Sequence, residues 1–264
     1  MNSLVWLRRD IRLHDHAALH HALKKSNNVY CVFIFDSQIL DNLTNKKDMR
    51  VEFIWESLKE IKDELRKIGS DIHIQHGNPV DLIPKIIRNY NCEALFFNKD
   101  YEQYAINRDE LICQNLNDID INSYKDSVLY ENKEILSQSD KPYTVFSPYK
   151  NNHLKKLAED GIPIYECEKN KNNLATSKDK DMITLESLGF ARSNLKSLNI
   201  PTGSNGGKQL LVDFDRRMDK YKQLRDYPGK KGVSYLSVHN RFGTLSIREQ
   251  ASIAYNKNTE GSLV

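Results

Sequence analysis

Several features that mark other classes of protein are missing from this 264-residue chain. Its apolar runs, such as residues 29–35, are far shorter than the roughly 20 residues that a bilayer-spanning helix needs. The first residues become basic at Arg8 and Arg9, where a secretory signal peptide would turn apolar. We therefore expect a cytoplasmic protein with no membrane partner.

Cysteine is scarce, and its spacing excludes two kinds of stabilising site. The four residues lie far apart, at Cys31, Cys92, Cys113 and Cys167. They form no Cys-x-x-Cys pair and no Cys/His pattern of the kind that binds zinc. We expect buried thiols, with neither a disulfide framework nor a metal site.

The glycine-rich turn of nicotinamide-dependent dehydrogenases is also missing. Such enzymes carry Gly-x-Gly-x-x-Gly directly after their first strand. Here Arg8, Arg9 and Asp10 follow the first predicted strand instead. This substitution of charges for glycines argues against a dehydrogenase.

The composition is that of a soluble globular protein. Charged residues make up 28% of the chain and hydrophobic residues 39%, which is enough to build a core. The formal net charge of +3 is compatible with a nucleic-acid partner but does not require one.

The first 125 or so residues alternate between strand and helix patterns. Short apolar runs predict strands at residues 3–7, 29–35, 71–76, 94–97 and 120–124. Helical spacing of apolar residues lies between them, at residues 17–25, 48–68, 80–90 and 102–116. This alternation predicts an α/β fold with a parallel, doubly wound (Rossmann-like) sheet covered by helices on both faces.

A different composition follows. Residues 163–210 are rich in Asn, Lys, Ser and Gly and show little periodicity, which predicts a long linker. Helical spacing returns at residues 210–221. We predict an α/β domain over 1–131, a connecting segment and linker over 132–207, and the start of a helical domain over 208–264.

A cluster of charged residues follows the first predicted strand. It contains Arg8, Arg9, Asp10, Arg12, His14, Asp15 and His16. Parallel sheets bind ligands beyond the carboxyl ends of their strands, so the cluster could hold an anion, a nucleobase or a cofactor edge. A salt-bridged loop that fixes the fold is the alternative interpretation.

A second candidate region spans residues 221–246. Ser234 and Ser237 flank a predicted helix start, where free backbone N–H groups favour a phosphate, although the two hydroxyls could equally be caps. Ser246 and Glu249 form the pattern of a capping box, which is structural. A basic group that could meet a nucleic-acid backbone lies in the same region, at Arg225, Lys230 and Lys231.

Four stretches, in the right order, resemble the photolyase/cryptochrome family. VWLRRDIRLHDHAAL resembles its N-terminal signature, and FFNKDYEQYAINRDE resembles the segment around its fourth strand. YTVFSPYKNNHLKKL is similar to its Tyr-x-Val-Phe-Thr-Pro-Phe motif. Residues 221–246 resemble the start of its flavin pocket, and the whole resembles a class I cyclobutane pyrimidine dimer photolyase.

The resemblance implies an activity and a set of binding residues, with damaged DNA as the partner. In photolyases, excited reduced FAD in a helical domain passes an electron to a pyrimidine dimer flipped out of DNA; the dimer splits and the electron returns. Tyr221 matches a flavin contact, and Arg225 matches a basic residue near the DNA backbone. The run that holds the FAD phosphates is matched by Val233, Ser234, Tyr235, Leu236 and Ser237. The resemblance assigns neither a catalytic side chain nor a metal ligand here.

Three positions depart from the family pattern. Val233 replaces a Thr, which removes one hydroxyl donor, worth about 0.5–1.5 kcal/mol. Tyr104 and Ala105 stand where folate-binding members carry Asn and Glu, which counts against a folate antenna. His16 replaces an Asn, whose hydrogen bonds imidazole can imitate.

The chain ends at Val264, where the family continues with the next helix of its flavin domain. Its tryptophans, Trp6 and Trp55, both lie in the predicted α/β domain, so the aromatic chain that re-reduces the flavin is absent. We interpret the chain as a truncated photolyase that binds FAD weakly or not at all by itself. The alternatives are a cryptochrome-type photoreceptor, a non-catalytic α/β binding domain, or half of a split protein whose missing helical half is a separate chain.

Overall fold

The computed structural model describes residues 1–178 and 181–257. A five-stranded sheet within these residues is parallel throughout, in the order β3–β2–β1–β4–β5. Its strands are β1 (Asn2–Leu7), β2 (Asn28–Asp36), β3 (Ile72–Gly77), β4 (Ala94–Asn98) and β5 (Asp120–Tyr124). The predicted α/β class with a doubly wound parallel sheet is confirmed.

Both faces of the sheet are buried, and alternate side chains of one strand enter different cores. Val5 and Leu7 of β1 belong to one core, and Leu4 and Trp6 belong to the other. A strand that is covered on both faces must be apolar at successive positions, which explains the nearly continuous apolar run in β2.

Helices connect the strands and continue beyond the sheet. They are α1 (Ala17–Lys25), α2 (Ser37–Leu40), α3 (Met49–Lys67), α4 (Pro79–Asn89), α5 (Gln103–Gln114), α6 (Phe146–Asp160), α7 (Gly203–Asp215), α8 (Tyr221–Leu224), α9 (Ser237–Phe242) and α10 (Ile247–Lys257). Asp48 caps α3 by accepting from the amide of Arg50, and Gly69 follows the end of that helix with φ +78°. Among the described residues, no helix is both long and apolar enough to cross a bilayer.

The prediction of an irregular linker over residues 163–210 is wrong from residue 203 onward, where the structure has a helix. Helix α7 begins at Gly203, because the glycines of this stretch permit close packing instead of providing flexibility. A Cβ on Gly206 would lie 2.7 Å from the carbonyl carbon of Pro201, and one on Gly207 would lie 3.0 Å from Nδ1 of His239. The helix predicted over residues 210–221 is likewise broken after Asp215.

Before α7, the described residues of this segment, 163–178 and 181–202, contain a short 3₁₀ helix at Cys167–Asn173 and pack against the α/β core. Leu185, Leu188, Phe190 and Leu195 are all buried in the same core as one face of the sheet. The segment therefore covers one face of the sheet as well as connecting it to α7. The three-part division of the chain remains a prediction.

His239, on α9, makes folding stability sensitive to pH. It is fully buried with Nδ1 2.7 Å from Oγ1 of Thr244, and burial lowers its pKa to about 4. An unfolded chain would protonate His239 near pH 6.5, so stability should fall by roughly 2–3 kcal/mol as the pH drops from 6.5 to 4. Urea unfolding across this range measures how steeply the free energy of unfolding depends on pH. Burial also lowers the pKa values of His21 and His153, so both add to this slope with the same sign.

The control for this prediction is His239→Gln, which does not titrate. Its stability should depend less on pH between 6.5 and 4 than that of the unsubstituted chain. Carboxylates with a lowered pKa, such as Asp10 and Asp48, contribute mainly at lower pH. Equal slopes for the two proteins would contradict the prediction.

Candidate functional site

The charged cluster after β1 is mainly a buried ion-pair network. Asp10 lies 3.0 Å from Nε2 of His16, and Nδ1 of His16 caps α1 by accepting from the amide of Leu19. Burial raises the pKa of Asp10, but the neighbouring His16 lowers it more strongly, so the pKa lies below its ordinary value. Of the two interpretations, these contacts support the salt-bridged loop for Asp10 and His16.

The same network joins the sheet to α10. Arg12 donates to both carboxylate oxygens of Asp126 at 2.8 and 2.9 Å. Arg248 lies 3.0 Å from Asp15 and 2.8 Å from Asp126, and all four side chains are at most 6% exposed. Burial raises the pKa of Asp126, but the guanidinium of Arg12 and other positive neighbours lower it more strongly. The loop and α10 are therefore fixed to each other by full charges removed from water.

Ser246 caps α10 as predicted, but the capping box is only half formed. Its hydroxyl accepts from the amide of Arg248 at 3.1 Å and donates to the carboxylate of Asp15. The Glu249 carboxylate instead lies 3.4 Å from Nε2 of His14. Both pairs again connect α10 to the loop after β1.

Arg8 and Arg9 line a polar cavity of about 290 Å³ at the carboxyl ends of β1 and β4, where the order of strands reverses. Arg8 pairs with Asp109, and Arg9 lies 3.2 Å from Asp100. Because these pairs neutralise both arginines, the cavity offers hydrogen-bonding groups without two uncompensated positive charges. Doubly wound sheets bind ligands at this position.

The two residues that replace the folate-binding pair are already engaged. The Tyr104 hydroxyl donates to Asp36 at 2.8 Å, and burial together with this bond raises the pKa of Tyr104. Ala105 is buried in α5. Neither position supplies a carboxylate to a ligand.

The predicted phosphate-binding run forms an exposed turn before α9. Val233 is 38% exposed, and Tyr235 adopts a left-handed φ of +59°. Leu236 is buried against Leu211, so it anchors the turn. Within residues 1–178 and 181–257, the amides of Val233, Ser234 and Tyr235 have no hydrogen-bond acceptor. Three free donors in succession can bind an anion.

Ser234 opens into a groove of about 370 Å³ that is lined largely by apolar side chains. Most of them come from α6, α7 and α10, and they include Leu154, Leu211, Phe214 and Ala251. Ser234 Oγ accepts weakly from the amide of Leu236 at 3.4 Å, whereas Ser237 is exposed. Neither serine is the N-cap of α9, which is Leu236, and this helix is only six residues long. The predicted helix-dipole contribution at this start is therefore small.

Tyr221 and Arg225 lie together beside Phe214. The Tyr221 ring meets Phe214 edge-on at 5.9 Å, and the Arg225 guanidinium lies 5.6 Å from the centre of the Tyr221 ring. Arg225 remains 38% exposed beside Asp226, so its charge is available at the surface. Phe214 thus connects Tyr221 to the groove that Ser234 enters.

Sequence reasoning missed Arg217, which contacts this turn. Its guanidinium donates to the carbonyl oxygens of Lys231 and Val233, each at 2.8 Å. Arg217 belongs to none of the motifs quoted above, and its spacing from the turn carries no signal in a single sequence.

A family model described as DNA photolyase matches residues 3–170. The chain belongs to the DNA photolyase family. This assignment agrees with the resemblance noted from the four sequence stretches, of which the last lies outside the matched residues.

Individual relatives extend the similarity along this photolyase-family chain. A deoxyribodipyrimidine photo-lyase of Synechococcus sp. (strain PCC 6301) is 28% identical over 93% of this chain and 52% of its own length. A 31.6 kDa protein of Synechococcus sp. (strain PCC 6716) is 29% identical over 93% of this chain and 86% of its own length. The chain therefore spans about half the length of the curated photolyases that it matches.

A solved structure resembles the fold over nearly the whole photolyase-family chain. It is an archaeal photolyase from Sulfolobus tokodaii, described with two FAD molecules. It has a TM-score of 0.70 and 28% identity over 98% of this chain and 56% of its own. The similarity includes the helices after residue 170 as well as the sheet.

Proposed function

We propose that this chain is part of a deoxyribodipyrimidine photolyase, a lyase that uses FAD and light to split cyclobutane pyrimidine dimers in DNA. The observation that carries the proposal is the turn at residues 233–237, with its unbonded amides, in a chain of the DNA photolyase family. Relatives named photo-lyase support it, as does the FAD-containing archaeal structure.

The turn fits the phosphate end of FAD. The amides of Val233, Ser234 and Tyr235 would donate to the pyrophosphate, with the hydroxyls of Ser234 and Ser237 beside them. When bound in its reduced form, the flavin would supply the light-excited electron that opens the dimer. Tyr221 would contact the flavin. The contacts of Tyr104 with Asp36 support the absence of a folate antenna.

The rest of the flavin site would come from further helices. The apolar groove beside Ser234 is a surface that such helices could cover, and the matched photolyases are about twice as long as the region that they share with this chain. Helices of the type that forms the second half of photolyases would complete the site, either as a continuation of this chain or as a separate chain. By itself, the present chain should retain FAD weakly or not at all.

A reconstitution assay tests this function. The purified chain is mixed with FAD, with or without the second half of the Synechococcus photolyase. Flavin retention through gel filtration is measured, followed by blue-light repair of an oligonucleotide containing one thymine dimer. We expect retention and repair only with both polypeptides present. Retention without repair would favour a cryptochrome-type photoreceptor, and no retention in any mixture would favour a non-catalytic binding domain.

Arg225 provides a test of DNA binding. Arg225→Met should weaken binding about equally for damaged and intact duplexes, because a phosphate contact carries no sequence information, and should lower the salt slope by about 1. Fluorescence anisotropy over a KCl series measures both quantities. Arg88→Met, which removes an exposed arginine from α4, is the control. A slope for Arg225→Met equal to that of the control would argue against the contact.

A further inference from the structure

Arg217 contacts the proposed phosphate turn from the side of α7. Its two terminal nitrogens donate to the carbonyl oxygens of Lys231 and Val233, two residues apart, each at 2.8 Å. Its side chain is only 16% exposed. One planar guanidinium therefore fixes two points of the segment that leads into the turn.

The guanidinium is itself held in place. Its Nε lies 3.0 Å from Oδ2 of Asp213, one helical turn earlier, and Oδ1 of Asp213 accepts from Nζ of Lys231 at 2.9 Å. Hydrogen bonds from Lys231 and Arg217 lower the pKa of Asp213, which is thus ionised at neutral pH. The guanidinium also lies 5.2 Å from the ring centre of Phe214 and 5.8 Å from that of Tyr235.

We infer that Arg217 is a positioning residue for the phosphate end of the flavin site. This inference rests on the proposed function. Because the carbonyl of Val233 is bound to Arg217, the amides of Val233, Ser234 and Tyr235 are kept in an arrangement that leaves them free for an anion. The bond also fixes the backbone at the one position of the run where Val replaces the family's Thr. Arg217 donates to two neutral carbonyls and shares the charge of Asp213 with Lys231, so its role is geometric more than electrostatic.

The test uses two substitutions of Arg217 and a matched control. Arg217→Met removes the donors, and Arg217→Lys keeps the charge but cannot bridge two carbonyls and a carboxylate. Arg216→Met removes the same charge from the neighbouring, exposed residue. Backbone order at residues 231–235 is measured by ¹⁵N relaxation, and ADP, a soluble probe for a pyrophosphate site, is titrated while the amide shifts of residues 233–237 are followed.

We expect Arg217→Met and Arg217→Lys to lower the order of the turn and to weaken ADP binding about tenfold, with the thermal midpoint near that of the control. ADP binding by Arg217→Lys equal to that of the unsubstituted chain would overturn the inference, because charge alone would then suffice. Unchanged order in both variants would overturn it as well. If ADP fails to shift these amides in the unsubstituted chain, the proposed phosphate site fails instead, while the relaxation data still decide whether Arg217 orders the turn.

Discussion

Replacing Arg248 with methionine is expected to lower the free energy of unfolding by about 3–5 kcal/mol. Methionine keeps an unbranched apolar stem but has no charge, so Asp15, whose side chain is only 4% exposed, would lose its arginine partner. Asp126 would keep its ion pair with Arg12 but lose its 2.8 Å contact with Arg248. Chemical denaturation followed by circular dichroism measures the change.

The matched control is Arg241→Met. Arg241 also forms an ion pair across the chain, 2.7 Å from Glu102, but both side chains are 53% exposed. Water and salt screen such a pair, so its loss should cost about 1 kcal/mol or less. Similar effects for the two substitutions would mean that the buried network contributes no more than a surface pair.

Replacing Gly243 with alanine is expected to cost about 2–5 kcal/mol. The residue has φ +61°, which costs an L-residue about 1–2 kcal/mol. An added Cβ would also lie 2.1 Å from the carbonyl oxygen of Arg9 and 2.6 Å from Cα of Asp10, and such overpacking typically costs about 1–3 kcal/mol. Backbone atoms of the loop after β1 would have to move. The measurement is again the free energy of unfolding in urea.

Gly189→Ala separates the two contributions. Gly189 has φ +80° but no atom within 4 Å of an added Cβ, so only the backbone penalty of about 1–2 kcal/mol applies. We expect Gly243→Ala to be the more destabilising of the two. Equal losses would show that the loop after β1 yields to Gly243→Ala at no measurable cost.

The sheet could be predicted from the sequence because its signals are local. The apolar run in β2 and the helical spacing after Asp48 depend only on neighbouring residues. The start of α7 could not be predicted, because Gly206 and Gly207 are placed there by contacts with Pro201 and His239. Composition alone does not distinguish a glycine that packs closely from one that is flexible.

The candidate site shows the same difference. Ser234 and Ser237 were predicted from their place at a helix start and from the resemblance to a family motif, and the turn that they belong to is exposed and has free amides. Arg217 was missed because its bonds to Lys231 and Val233 arise from how α7 meets the following loop. The charged loop after β1 allowed two interpretations until the partners Asp126 and Arg248 were placed beside it.

The buried ion pairs have a consequence for biosynthesis. Asp15 and Arg248 are separated by 233 positions, and strands β2 to β5 of the sheet lie between them. During translation the residues of the sheet leave the ribosome before Arg248, the counterion of Asp15, which is made about 230 residues after Asp15. The sheet in the nascent chain should therefore be less stable than in the released chain, and a chaperone that binds early intermediates would have its main opportunity in that interval.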